Sequence, residues 1–356
     1  MEIAVIGGGH GCYAAAAHLT EVGHNVRHWR RDVGALTPSI TLTDWQGTRE
    51  VAIARPTENI SEAMADAELV VIPLPATSHF DLSKKLASLW QEGQVAFLPP
   101  GTMGTYMFAK AARDAGNPAR AAFAETGTLP YLARKQAANH VSISVYATRL
   151  PTGVFPAAET NHAIDVIGRV YPVESLTDAL DGALMNAGPI IHPPLIVMNA
   201  GPLEHFDAWD IHNEGTQPSI RRTTDALDAE RVQLREAFGY CAPHFPLSDH
   251  YDDARDEWMY GNASHERLTK SGDWREDIDL LTHRYMVEDT RLGLSLLSSL
   301  GELADIPLPL VNGFLAIGGA ITGENFRVSG RGLQALGLGG HGRDELKTLL
   351  SDGFAR

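Results

Sequence analysis

The sequence predicts an α/β domain built on a doubly wound parallel sheet, followed by an all-α domain. Three observations predict it. The chain opens with strand, glycine turn, helix and strand within about 30 residues, the size of one βαβ start. Short apolar runs then alternate with helical periods as far as Pro172. Beyond that point the periods are helical and strand signals are few. The 356 residues, 44% of them hydrophobic, are enough for two domains with real cores.

Glu2–Ile6 (EIAVI) reads as a buried strand, Tyr13 to about Val22 as an alanine-rich helix, and Val26–Trp29 as the second strand. Leu69–Pro73, Val95–Leu98, Ala121–Glu125 and Val141–Val145 read as further strands of the same parallel series. Helical patterns at Ser83–Trp90 and Tyr106–Ala115 fall between them. The boundary is expected between Tyr171 and Leu180, which divides the chain into domains 1–175 and 176–356. In the second, Asp225–Phe238 and Glu288–Ala304 are the clearest helices, with Pro218 near the start of the first and Gly239 just past its end. The apolar stretch Leu308–Ile321 reads as either core or a homodimer interface.

A net charge of −15 argues against nucleic acid and anionic membrane surfaces as partners. The longest uncharged run, between Asp305 and Glu324, contains Pro307, Pro309 and several glycines and reads as a buried helix. The 2 cysteines, Cys12 and Cys241, offer neither a disulfide framework nor zinc-ligand spacing. With no basic or cleavable leader visible, a reducing, cytoplasmic location is expected.

The first turn, Gly7-Gly8-Gly9-His10-Gly11-Cys12, follows a strand and opens a helix. Gly7 permits the tight turn, Gly9 lets the backbone approach a pyrophosphate, and the helix N-terminus attracts its charge. That is the chemistry of a Rossmann-type dinucleotide site. Cys12 stands where the third glycine of the usual fingerprint would be. At the end of the second strand the usual acid is replaced by Arg30 and Arg31, which suit a 2′-phosphate. NADP(H) is therefore the preferred cofactor. NAD(H) stays possible, with Asp32 on the ribose and the arginines merely solvated. Pro75, Gly101 and Glu125, near the ends of three later strands, complete the cofactor set.

Among 15 histidines, His192 is the acid/base candidate. Pro193 fits the first position of a helix, which would put His192 at a helix mouth. Asp289 is the candidate orienting carboxylate, although Glu288 and Asp289 would equally complement a helix dipole in a first turn.

Several segments resemble the octopine/nopaline (opine) dehydrogenase family in that family's order. They are Glu125–Arg134 (ETGTLPYLAR), His192-Pro193-Pro194 with Asn199-Ala200-Gly201, and Glu214–Ser219 (EGTQPS). Asp228-Ala229-Glu230-Arg231, and His283-Arg284-Tyr285 with Glu288-Asp289, complete the series. The resemblance implies a nucleotide domain, a helical domain and an active site between them. It implies that His192 and Asp289 form the catalytic dyad, and it places Arg284 where the family has an arginine near the substrate. Guanidinium chemistry suits Arg284 and Arg134 to a substrate carboxylate, with a structural ion pair the equal alternative for Arg134. It implies reductive joining of a 2-oxo acid to the amine of an amino acid. Gly188 replaces an asparagine of the family pattern, and Thr290 and Arg291 replace a small apolar residue and a proline. An imine reductase using ketones and simple amines on the same scaffold is the alternative, and a non-catalytic nucleotide-sensing module is another.

Overall fold

The computed structural model describes residues 1–31, 38–53, 55–255, 258–262 and 264–355. Asp32, the alternative ribose ligand, lies outside the described residues. The chain divides into two compact units, Met1–Ala183 with Leu350–Arg356, and Leu184–Leu349.

The first unit holds strands β1 (Glu2–Ile6), β2 (Asn25–Trp29), β3 (Ser39–Asp44), β4 (Gly47–Ala52), β5 (Arg55–Thr57), β6 (Leu69–Val71), β7 (Val95–Leu98), β8 (Ala122–Thr126), β9 (Tyr131–Ala137), β10 (His140–Tyr146), β11 (Leu150–Phe155) and β12 (Val173–Ser175). Its main helices are α1 (His10–Glu21), α2 (Ile60–Met64), α3 (His79–Leu86), α4 (Gly104–Asp114), α5 (Thr160–Ile167) and α6 (Ala179–Ala183).

The main sheet has the order β12-β11-β8-β7-β6-β1-β2-β5. It is parallel except where β11 runs antiparallel to β8. The chain moves from β1 outward through β2 and β5, then returns to β6 on the other side of β1. That reversal beside β1 is the switch point where such sheets take ligands, at the carboxyl ends of the strands. Ile3, Val5, Leu69, Val71, Val95 and Phe97 on one face and Ala4, Ile6, Val70, Ala96 and Leu98 on the other are all 0% exposed, so these central strands are covered on both faces. Against them α1 packs Ala14, Ala15, Ala16, Ala17 and Leu19, small residues that let the helix lie close.

Two sequence expectations are corrected here. Val141–Val145 does not continue the parallel series. It lies in β10 of a second sheet, ordered β4-β3-β10-β9, made of two hairpins joined by parallel pairing of β3 and β10. Residues 176–183, assigned to the second domain, fold with the first unit.

The second unit is helical: α7 (Gly188–Val197), α8 (Ala200–His205), α9 (Pro218–Ala237), α10 (Ser264–Ser271), a π-helix (Tyr285–Gly293), α11 (Leu294–Ala304) and α12 (Pro309–Thr322), then shorter segments. In α9, Ile220, Thr224, Leu227, Arg231 and Leu234 share one buried face, as 3–4 spacing demands. Glu230 caps α12 from outside, accepting the N–H groups of Leu310 at 2.7 Å and Val311 at 2.9 Å. The Leu308–Ile321 stretch mostly serves the core of this unit, burying Leu308, Val311, Phe314 and Leu315, although Ile317 is exposed. No helix among the described residues is long and apolar enough to cross a membrane.

Candidate active site

In the first unit the glycine turn has the geometry its residues imply. Gly7 has φ +122°, and a Cβ there would meet Cys12 Sγ at 2.8 Å. A Cβ on Gly11 would meet Leu129 Cδ2 at 2.9 Å and Pro73 Cβ at 3.2 Å, so glycine here brings α1 against the end of β6. Gly9 faces open space, and no side chain caps α1. The turn is a cradle that leaves the helix N-terminus to an anion, so these residues fit a pyrophosphate. Cys12 packs where the third glycine would, its thiol directed at the carbonyls of Ile6 at 3.5 Å and Pro73 at 3.7 Å. Burial pushes that thiol up to about 12, so it stays neutral.

Histidines brace the turn. His28 Nε2–H donates to the Gly7 carbonyl at 2.8 Å, and burial pushes the imidazole down to about 4. The Lys135 backbone N–H donates to His10 Nδ1 at 2.7 Å. A backbone amide can only donate, so His10 keeps its own proton on Nε2, at the mouth of α1.

Arg30 is not a solvated surface charge. It is 8% exposed, with its guanidinium 4.7 Å from the Tyr13 ring centroid and its Nε 3.1 Å from where a Cβ on Gly8 would stand. Arg31 is exposed. Pro75 is exposed just beyond β6. Glu125 is fully buried and holds the second loop: its carboxylate accepts from the Met103 N–H at 2.9 Å and the Thr105 hydroxyl at 2.5 Å. Gly101 is required beside it, because a Cβ there would overlap Glu125. Arg134 also belongs to this unit, on β9.

In the second unit, His192 and Asp289, 97 residues apart, meet: Nδ1 to Oδ2 is 2.7 Å. The side chains are 13% and 3% exposed. The expected helix mouth is corrected. The helix begins at Gly188 with Pro189 as its early proline, and His192, Pro193 and Pro194 lie inside it. Proline at the start needs no N–H, which is why α7 starts there rather than at Pro193. The expected first turn of an α-helix at Glu288–Asp289 is corrected too, since both residues lie inside the π-helix. The Thr290 hydroxyl bonds the Tyr285 carbonyl at 2.9 Å within this segment. Such i→i+5 segments interrupt α-helices frequently at functional sites.

Glycine sets the closeness of the two helices. A Cβ on Gly188 would overlap Asp289 Oδ1, and one on Gly293 would overlap Pro189. Gly188 also donates its N–H to Asn186 Oδ1 at 3.0 Å. Burial pushes the Asp289 carboxyl up to about 7, opposed by the positive Arg284. The neighbouring charges of Glu288 and Asp289 hold the Arg284 guanidinium above its usual value. It pairs with Glu288 at 3.4 Å and keeps its side chain 42% exposed.

Residues not singled out from the sequence surround the imidazole. Tyr285 stacks on His192, centroids 3.8 Å apart and planes 18° apart, and His212 meets it edge-on at 6.1 Å. The signal for Tyr285 was its place four residues before Asp289, the same side of one helix. Other motif residues hold this frame. Asn199 bonds the Leu195 carbonyl at 2.7 Å and the Gly215 carbonyl at 3.0 Å. Arg231 bonds Asp228 at 2.6 Å and the Leu184 carbonyl at 3.1 Å.

Known proteins resemble this chain at every level. Residues 175–322 match the family of the NAD/NADP octopine/nopaline dehydrogenase alpha-helical domain. An opine dehydrogenase of Arthrobacter sp. (strain 1C) is 29% identical over 358 residues, 95% of this chain and 95% of that protein. The fold matches an octopine dehydrogenase solved with NADH and agmatine, with a TM-score of 0.73 at 15% identity over 99% of this chain and 98% of that one. A yersinopine dehydrogenase solved with NADP+ gives 0.65 at 14% identity, covering 90% of each chain. His192 and Asp289 both fall within residues 175–322, the part of the chain that is similar to the octopine/nopaline dehydrogenase helical domain.

Proposed function

We propose that this protein is an NAD(P)H-dependent opine dehydrogenase, an oxidoreductase acting on CH–NH bonds. It joins a 2-oxo acid, pyruvate-like in size, to the amine of an amino acid through an imine and yields an N-(1-carboxyalkyl)amino acid. The observation that carries the reading is the His192–Asp289 pair at 2.7 Å, in a helical domain similar to that of this family. When bound, a reduced nicotinamide supplies the hydride that reduces the imine carbon.

The chain's own residues do the proton chemistry. Amine addition to the oxo acid leaves a carbinolamine, whose hydroxyl must depart as water. With Nδ1–H donated to Asp289, the imidazole works through Nε2. It takes a proton from the attacking amine and gives one to the departing hydroxyl. Asp289 fixes the tautomer and offsets the imidazolium charge, and the Tyr285 ring holds the imidazole plane. Arg284, partly exposed one turn before Asp289, is the group for a substrate carboxylate. Arg134 is a second carboxylate ligand in this reading.

Gly7, Gly9, His10 and Gly11 hold the cofactor pyrophosphate, with Cys12 packing behind them and Gly101, Pro75 and Glu125 forming the neighbouring strand ends. The cofactor preference in this reading is NADP(H). Arg30 supports it, because its guanidinium lies against the glycine turn rather than in solvent. Gly188, which departs from the family pattern, leaves the space that the Asp289 carboxylate occupies.

The experiment is loss of reduced-nicotinamide absorbance with pyruvate and a panel of amino acids, each alone and together. The proposal expects consumption only when both are present. Turnover with simple ketones and amines, and none with oxo acids, overturns it.

A further inference from the structure

We propose that Lys135 discriminates between cofactors: with Arg30 it forms a two-cation seat on the Tyr13 ring that takes the 2′-phosphate of NADP(H). The inference rests on the reading of the first unit as a dinucleotide domain.

Two cations converge on one aromatic ring. Arg30, from the end of β2, places its guanidinium 4.7 Å from the Tyr13 centroid. Lys135, from β9 in the other sheet, places its ammonium 4.1 Å from the same centroid. Tyr13 lies in the first turn of α1 and is 1% exposed. The Lys135 backbone is itself tied to that turn, through its N–H to His10 Nδ1 at 2.7 Å. Arg30 rests against Gly8. Both charges therefore stand beside the glycine turn at the end of β2, where this kind of domain holds the adenosine ribose.

Two cations on one ring favour an anionic ligand beside them. Burial lowers the Lys135 ammonium and the neighbouring Arg30 charge lowers it further. A phosphate monoester carries between one and two negative charges near neutral pH, and its oxygens accept charge-assisted hydrogen bonds from both cations. The ribose of NAD(H) offers only a neutral 2′-hydroxyl there. Position 135 thus adds to selectivity from outside the β2 end where selectivity is usually read.

The test is equilibrium titration of the full chain, without substrates, with NADPH and with NADH, followed by nicotinamide fluorescence. The variants are Lys135→Gln and Lys135→Arg. The proposal expects tighter NADPH binding in the wild type. Lys135→Gln should weaken NADPH at least about tenfold, the scale of one charge-assisted contact. It should leave NADH nearly unchanged, and Lys135→Arg should restore most of the loss. Equal weakening of both cofactors would make Lys135 a structural residue and overturn the proposal. Tight NADH binding with no NADPH advantage, unchanged by Lys135→Gln, keeps the dinucleotide domain and rejects the seat. Binding of neither cofactor by the wild type rejects the domain reading and the seat with it.

Discussion

Gly188 and Asp289 occupy one space: a Cβ on residue 188 would stand 3.0 Å from the Asp289 Cγ and overlap its Oδ1. The missing side chain lets α7 and the π-helix bring the carboxylate to His192. Gly188→Ala should therefore displace Asp289 while the cofactor unit is untouched. The expected result is a fall in kcat of at least about tenfold, with NADPH affinity unchanged. Steady-state kinetics beside a cofactor titration check this. An alanine variant with normal kcat would show that the close approach is dispensable.

Asp289 makes the dyad pH-sensitive. Burial raises its carboxyl to about 7 in the folded chain. Below that pH the carboxyl carries its own proton and no longer offers the His192 imidazolium a negative charge, so kcat should fall on the acid side. Asp289→Asn should lose this limb, with kcat lowered about 100-fold or more. The stability consequence has the opposite sign. The folded pKa lies above the unfolded value of about 3.9, so stability from this group is present below about pH 4 and lost as pH rises through about 7. Asp289→Asn should accordingly be at least as heat-stable as wild type at pH 8, although less active. A variant clearly less stable than wild type at pH 8 contradicts this.

Glu125 works on the loop rather than by charge alone. Thr102 and Met103 have φ of 52° and 59°, left-handed values that cost non-glycine residues about 1–3 kcal/mol each. The carboxylate offsets this through Met103 N–H and the Thr105 hydroxyl. Glutamine keeps one acceptor and turns the other into a donor. Glu125→Gln should lower unfolding free energy by about 1–3 kcal/mol, measured by urea titration. An unchanged midpoint would assign the loop geometry to other contacts.

Asp44 predicts a separate acid transition. Its carboxylate accepts from Arg49 at 2.7 and 3.0 Å, from the Tyr146 hydroxyl at 2.7 Å and from the Gln46 N–H at 2.8 Å. Arg49 above all holds it down at about 2. The folded pKa is below the unfolded value, so its stabilisation is complete above about pH 4 and disappears as pH falls towards 2. Wild type should lose stability faster than Asp44→Asn over that interval. Parallel curves would count against the Asp44 pairing.

The sequence made some of this legible and hid the rest for identifiable reasons. The β1 turn and α1 were readable because the glycines follow a strand that is apolar from Ile3 to Ile6 and open an alanine-rich helix. His192 and Asp289 stood out separately, but their pairing was readable only through the family resemblance, since no periodicity joins residues 97 apart. Most of the second sheet was missed although β3 alternates, burying Ile40 and Leu42 between Ser39, Thr41 and Thr43. Its partner β10 comes from the far end of the unit, a long-range pairing that local pattern does not carry. The π-helix leaves the apolar pattern of an ordinary helix almost intact, so Asp289 looked like a first-turn acid. Lys135 went unnoticed because its charge neighbours come from β2.

The central claim is that His192, held by Asp289, drives reduction of an imine formed from an oxo acid and an amino acid. The most direct test uses NADPH carrying deuterium at the transferring position of the nicotinamide, with pyruvate and the active amino acid, and mass spectrometry of the product. The account predicts one N-(1-carboxyethyl)amino acid with a single deuterium on the former carbonyl carbon. With His192→Ala it predicts at least about 100-fold slower formation and unimpaired NADPH binding. Deuterated lactate instead of the secondary amine, or an undiminished rate with His192→Ala, would contradict it.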